Sequence, residues 1–250
     1  MSVQHGLELS AAGQGVALML AAVAAVAWLT MWRTAHRLRP PLLQLGVGPR
    51  IANYLLVSWR DLASAAAAIA MVWCAELWSG RNELTTALRE VGLRGGPADQ
   101  LAAMSMLLFG ACYAINLGFL LFRQWAGVRS TAVTVNMVPD SVAETLTYSL
   151  LLAPVSGVTE EIVFRGALMS AFTAVSGDPI SAVGSQAVLF GIVHLYQGGL
   201  GVLRTAAVGL VLGVGTLACG SLIPAMIAHS LINAAVAIGK VSPPSRSSAR

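Results

Sequence analysis

An all-α, polytopic transmembrane bundle of about seven to eight helices is the fold the sequence predicts, and three observations predict it. Of the 250 residues 56% are hydrophobic and only 10% charged, with a mean hydropathy of +0.74. That is more apolar surface than a core in water could bury. The apolar residues fall in runs long enough to cross a hydrocarbon core about 30 Å thick at about 1.5 Å per residue. Gly, Pro, Ser and Arg punctuate the gaps between them.

Residues 15–32 make the first expected span. Because residues 1–14 carry no Lys or Arg, it is expected to stay as an anchor rather than leave as a signal peptide. Further spans are expected at about residues 62–78, 101–122, 142–173, 180–196, 205–218 and 222–238. Turns are expected at Gly95-Gly96-Pro97 and Gly177-Asp178-Pro179, and a polar tail over residues 241–250. Residues 1–140 thus read as N-terminal membrane helices, and residues 141–240 as the part that carries chemistry. Seven crossings put Arg33, Arg37, Arg39, Arg50, Arg60, Arg123, Arg129, Arg204, Lys240, Arg246 and Arg250 on one side, and Arg81, Arg89 and Arg94 on the other. The bias places the N-terminus outside and the C-terminus in the cytoplasm.

The net charge of +4 forms no basic face interleaved with aromatics. The expected partners are therefore membrane lipid and a membrane-associated substrate, and no nucleic acid. An Ala-rich composition with Arg over Lys points to a bacterial plasma membrane. Cys74, Cys112 and Cys219 stand singly in apolar segments and read as buried, inert thiols. Gly209 and Gly213, four apart, read as helix-packing positions.

Ionisable residues inside membrane segments cost at least about 2.5–3.5 kcal/mol each, so those that remain are candidates for function. The last hundred residues gather Glu160, Glu161 and Arg165, then His194, then His229 with Asn233. Glu161 and Arg165, four apart, share a helix face and can neutralise each other. Glu160, turned about 100° from Glu161, is free to face a polar cavity and act as a general base on water. Phe190 and His194 share a face, as do His229 and Asn233, whereas Ser230 points elsewhere. These residues supply a base, imidazoles to orient water or bind a metal, and a donor for an oxyanion. Neither a Gly-x-Ser-x-Gly elbow nor a His-Glu-x-x-His motif is present.

In order, Glu160-Glu161-x-x-x-Arg165, Phe190-x-x-x-His194 and His229-x-x-x-Asn233 resemble the three motifs of the CAAX-protease and bacteriocin-processing (CPBP, or Abi) family, which includes type II CAAX prenyl endopeptidases. The resemblance covers about residues 140–240 and makes residues 141–240 a CPBP-like catalytic core. It implies an intramembrane peptidase in which Glu160 and His194 activate water, His229 and Asn233 stabilise the oxyanion, and Glu161, Arg165 and Phe190 support the site. The family has been described both as metalloproteases and as metal-free glutamate proteases. One divalent metal such as Zn, on Glu160, His194 and His229, is therefore an alternative to a metal-free site. The basic run that follows the first motif in many relatives is missing after Arg165. A non-catalytic immunity or scaffold protein is the alternative function, and an ion-coupled transporter a weaker one.

Seven simple crossings set His194 near the inner end of its helix and Glu160 nearer the outer, on the order of 20 Å apart in depth. A shared site is therefore expected to need a break at Pro154 or Gly157.

Overall fold

The computed structural model describes residues 42–44, 46–78 and 92–238. The first expected span, the 241–250 tail, and Arg33, Arg37, Arg39, Arg81, Arg89 and Lys240 lie outside these residues. Every regular element among the described residues is helical. The α-helices are α1 (Pro49–Trp78), α2 (Ala98–Trp125), α3 (Ala132–Asn136), α4 (Val142–Thr147), α5 (Ala153–Glu161), α6 (Met169–Ser176), α7 (Pro179–Val193), α8 (Gly199–Cys219) and α9 (Ile223–Ile238). Helices α1, α2 and α8 contain stretches long and apolar enough to cross a membrane, and α7 and α9 are shorter apolar helices. Large apolar side chains such as Leu107, Trp125, Ile180 and Leu203 point outward with more than half their surface exposed. A chain that satisfies its backbone within helices and turns such side chains outward is an integral, multi-pass membrane protein.

Helices α4, α5 and α6 form one rod. They are joined by π-helical segments, Tyr148–Leu152 and Ile162–Leu168, whose flanking residues keep right-handed helical backbone angles. Pro154 therefore does not break the helix. Its ring would collide with the carbonyl four residues earlier, Leu150, and Leu150 lies in the first π segment, where the wider turn accommodates it. Gly157 gives no break either: it is the point at which α5 and α9 touch. A Cβ there would lie 2.6 Å from the Ser230 nitrogen and 2.7 Å from its Cα.

The rod ends at Gly177, which adopts φ 69°, a conformation that glycine takes without steric cost. Asp178 then caps α7, its carboxylate accepting from the backbone N–H groups of Ile180 and Ser181 at 3.0 Å each. This turn corrects the expected depth. Glu160 and His194 are equidistant in sequence from Gly177, so two antiparallel helices of equal rise carry them to the same level.

Two buried apolar clusters tie the N-terminal helices to the later ones. Leu108 and Cys112 of α2 pack with Val208, Leu212, Ala225, Ala228 and Ile232. Ala65 and Ala68 of α1 pack with Ile162, Leu222 and Met226. Of the three cysteines expected to be buried, only Cys112 is fully so; Cys74 is exposed and Cys219 partly covered, since a thiol needs no burial on a face turned to lipid. On the arginine-rich side, Tyr54 donates to the Met137 carbonyl at 3.1 Å and Arg50 pairs with Asp140 and Glu144. The loop before α4 is thereby fastened to α1.

Candidate active site

Glu161 is the fixed point of the polar cluster. It is fully buried, and its Oε1 accepts from Arg165 Nη1 at 2.8 Å and from His229 Nδ1 at 2.7 Å. The i,i+4 spacing provides the first bond, and the close approach of α9 provides the second. Arg165 spreads its guanidinium over the Phe190 ring, 4.2 Å from its centroid. A buried cation against an aromatic face is partly compensated there. The same ring meets His194 edge-on at 4.8 Å and His229 at 5.8 Å, so Phe190 acts as the wedge that sets both imidazoles.

Each imidazole has a defined hydrogen-bonding role. His194 closes α7, and its Nδ1 lies 2.7 Å from the Phe190 carbonyl. A carbonyl can only accept, so Nδ1 carries the proton and Nε2 keeps its lone pair. Nδ1 of His229 likewise donates to the Glu161 carboxylate. Both Nε2 atoms then face Glu160, whose Oε2 lies 4.0 Å from His194 Nε2 and 3.8 Å from His229 Nε2. These separations exceed a direct hydrogen bond. Two groups that each bond one water at about 2.8 Å, near a right angle, stand about 4 Å apart, so the gap is one water wide.

Glu160, His194, His229 and Asn233 all line one cavity of about 210 Å³ inside the bundle, together with Arg60 and Ser156. By type, Glu160 and the two imidazoles suit Zn²⁺, and Nδ1 anchors of this kind orient histidine ligands. Donors on a tetrahedral zinc stand only about 3.4 Å apart, from bond lengths of 2.0–2.1 Å. Among the described residues no group of three or more His, Cys, Asp or Glu side chains closes on a metal.

Residues 142–235 match the family model of type II CAAX prenyl endopeptidase, Rce1-like. Over that stretch the chain is similar to the Rce1-like family. The match takes in α4 through most of α9, with all three motifs, and agrees with the resemblance to the CPBP family read from them. The Rce1-like family is one of CAAX-type proteases, hydrolases of the membrane interior. No curated protein and no solved structure matches the chain.

Part of the cavity wall comes from outside the Rce1-like stretch, and the sequence reading missed it. Arg60 was expected to be a topology signal at the membrane surface. It is instead buried in α1 and lines the cavity, its Nε donating to Asp61 Oδ1 at 2.8 Å. Asp61 Oδ2 accepts from Ser156 Oγ at 2.5 Å, one turn before Glu160. A signal was available: an Arg-Asp pair just before a long uncharged run sets two ionisable groups at a membrane segment, which marks them as candidates for function.

Proposed function

We infer that the chain is an intramembrane endopeptidase that hydrolyses a peptide bond in a membrane-associated or lipid-linked peptide, using a water held between Glu160 and His194. The observation that carries this reading is the one-water gap between Glu160 Oε2 and the two Nε2 atoms, at 4.0 and 3.8 Å. Glu160 takes the proton that the water loses as its oxygen attacks the scissile carbonyl. His194 Nε2 accepts the second water hydrogen and so aims the oxygen lone pair. With Nδ1 committed to Glu161, His229 as the imidazolium presents Nε2–H to the developing oxyanion, and the Asn233 amide, one turn on, supplies a second donor. Collapse of the tetrahedral intermediate breaks the C–N bond. The proton held by Glu160 passes to the leaving nitrogen, the second water proton follows it from the new carboxyl group, and a carboxylate and an ammonium are released.

Glu161 and Arg165 balance each other in an enclosed pair, so neither charge is stranded beside the reacting groups. The supporting roles fall to Glu161, Arg165 and Phe190.

The test is a farnesylated, internally quenched peptide incubated with purified protein in detergent, cleavage being located by mass spectrometry. Glu160→Gln should lower turnover by at least about 10²–10⁴-fold while leaving Tm unchanged, because Gln fills the same space but accepts no proton. Chelation with 1,10-phenanthroline should leave turnover intact. Equal rates for wild type and Glu160→Gln would refute the mechanism, and loss on chelation restored by zinc would transfer it to a metal. A well-folded wild type inert toward every lipid-linked peptide would favour the immunity or scaffold reading.

A further inference from the structure

Three arginines outside the Glu160–His194–His229 cluster meet at one end of the bundle, and one of them, Arg204, also lines the first cavity. Arg123 lies in the last turn of α2, Arg129 in the loop that follows, and Arg204 in the second turn of α8. They line a second cavity, of about 150 Å³, to which Ser130, Thr131 and the backbone at the start of α8 also contribute. No carboxylate lines it. Among the described residues, none of the three arginines has an acidic partner: the ion pairs of the structure involve Arg50, Arg60, Arg165 and the histidines instead. Arg123 Nη1 donates to Ser130 Oγ at 2.7 Å. Arg204 donates to the amide oxygens of Asn116 at 3.1 Å and of Gln197 at 2.5 Å. These are neutral acceptors, so they orient the guanidinium without cancelling its charge.

Three like charges around one small cavity repel one another, most where Arg123 and Arg204 are partly buried and least at the exposed Arg129. An anion would relieve that cost. The cavity is built for one with several oxygens, since it offers three guanidinium groups, the Ser130 hydroxyl, which accepts from Arg123 and keeps its own proton, and the first turn of α8. No side chain caps that turn, and its N–H groups carry the positive end of the helix dipole. A carboxylate would leave most of these donors unused, whereas a phosphate has the charge and the oxygens to meet them.

The surroundings identify the source of the phosphate. Leu120 and Val128, in the cavity wall, are largely exposed, as are Leu121, Phe122 and Trp125 beside them. The anion site therefore opens beside an apolar surface at the end of α2, on the face that carries the arginine majority. That combination suits a molecule with a charged head and hydrocarbon tails. We propose that the cavity formed by Arg123, Arg129 and Arg204 binds the phosphate of an anionic phospholipid, whose acyl chains lie along the exposed end of α2.

The site is read out by ligand-induced thermal stabilisation of the full-length protein in dodecylmaltoside, titrated with phosphatidylglycerol, phosphatidylcholine or inorganic phosphate. Phosphatidylglycerol should raise Tm saturably and more weakly as salt is added, while the other two should leave it near its starting value. Arg129→Gln removes a side chain that has no ion pair in the structure, so the fold should survive. It should weaken phosphatidylglycerol binding about fivefold, the worth of one arginine near an anionic headgroup. Arg123→Gln should do the same, and the double variant should lose about 25-fold. Should Arg204→Gln fail to fold, the other two variants still decide the matter. Equal stabilisation by phosphatidylcholine, the full effect with inorganic phosphate, or unchanged affinity in both single variants would overturn the proposal. So would competition by a peptide with a free C-terminal carboxylate, for which an amidated peptide is no substitute: the site would then belong to substrate.

Discussion

A single oxygen of Glu161 serves Arg165 and His229 at once, so removing its charge injures two things. Glu161→Gln leaves the buried Arg165 cation uncompensated, and breaking one side of an enclosed pair typically costs about 3–5 kcal/mol. It also weakens the charge-assisted bond that orients the His229 ring. We therefore expect a clear drop in Tm and a fall in turnover together. The two effects separate in Glu161→Gln/Arg165→Met, which removes the stranded charge: Tm should recover most of the loss while turnover stays low. Full loss of turnover at unchanged Tm in the single variant would instead make Glu161 the base.

At the scale of the element, the turn at Gly177 and Asp178 sets the register between Glu160 and His194. The backbone N–H groups of Ile180 and Ser181, with the Ser181 hydroxyl, hold the Asp178 carboxyl below the usual carboxylate range. A depressed folded-state value contributes stability that is complete above the unfolded value, about 3.9. It is lost as pH falls through the folded one. Asp178→Ala should thus lower Tm by about 2–4 °C at neutral pH, and the difference from wild type should shrink below about pH 4. A difference that persists at pH 3 would mean the cap acts through shape rather than charge. The α5–α9 crossing is less forgiving. Gly157→Ala places a methyl group against the Ser230 backbone, which cannot swing aside, and overpacking of this kind costs about 1–3 kcal/mol. Because that crossing also sets the distance from Glu160 to His229, turnover should fall even at temperatures where the protein remains folded.

These cases show which parts of the site could be read in advance. Glu161 with Arg165, and His229 with Asn233, were legible because each pair lies one helical turn apart, a relation that sequence spacing fixes. The Asp61–Ser156 contact joins positions 95 apart, and no local period reports it. Seven simple crossings misplace Glu160 in depth because its rod, continuous from Val142 to Ser176, is longer than one simple span. Measured back from Gly177, the same sequence places it level with His194. The π segments carry no spacing signal beyond Pro154, which marks the first of them and leaves the second unannounced.

For the whole molecule, the question is whether the Rce1-like stretch is a unit that could work by itself. Its boundary at residue 142 cuts through both apolar clusters, since Leu108 and Cys112 lie on one side with Leu212 and Ile232 on the other. Ala65 and Ala68 are parted from Ile162 and Leu222 in the same way. It also removes Arg60 and Asp61, so Ser156 would lose its acceptor beside Glu160 and the cavity would lose a wall. In a membrane, preformed helices associate through packing and interhelical hydrogen bonds, and both are forfeited at this cut. Residues 142–250 expressed alone should therefore insert but aggregate on size-exclusion chromatography and show no hydrolysis. Co-expression with residues 1–141 as a separate chain should restore a single symmetric peak and turnover. The Asp61→Asn substitution in that first chain should weaken the reassembly, because the bond to Ser156 would lose its charged acceptor. If residues 142–250 alone gave a monodisperse and active protein, the contribution of α1 to the cavity would be incidental.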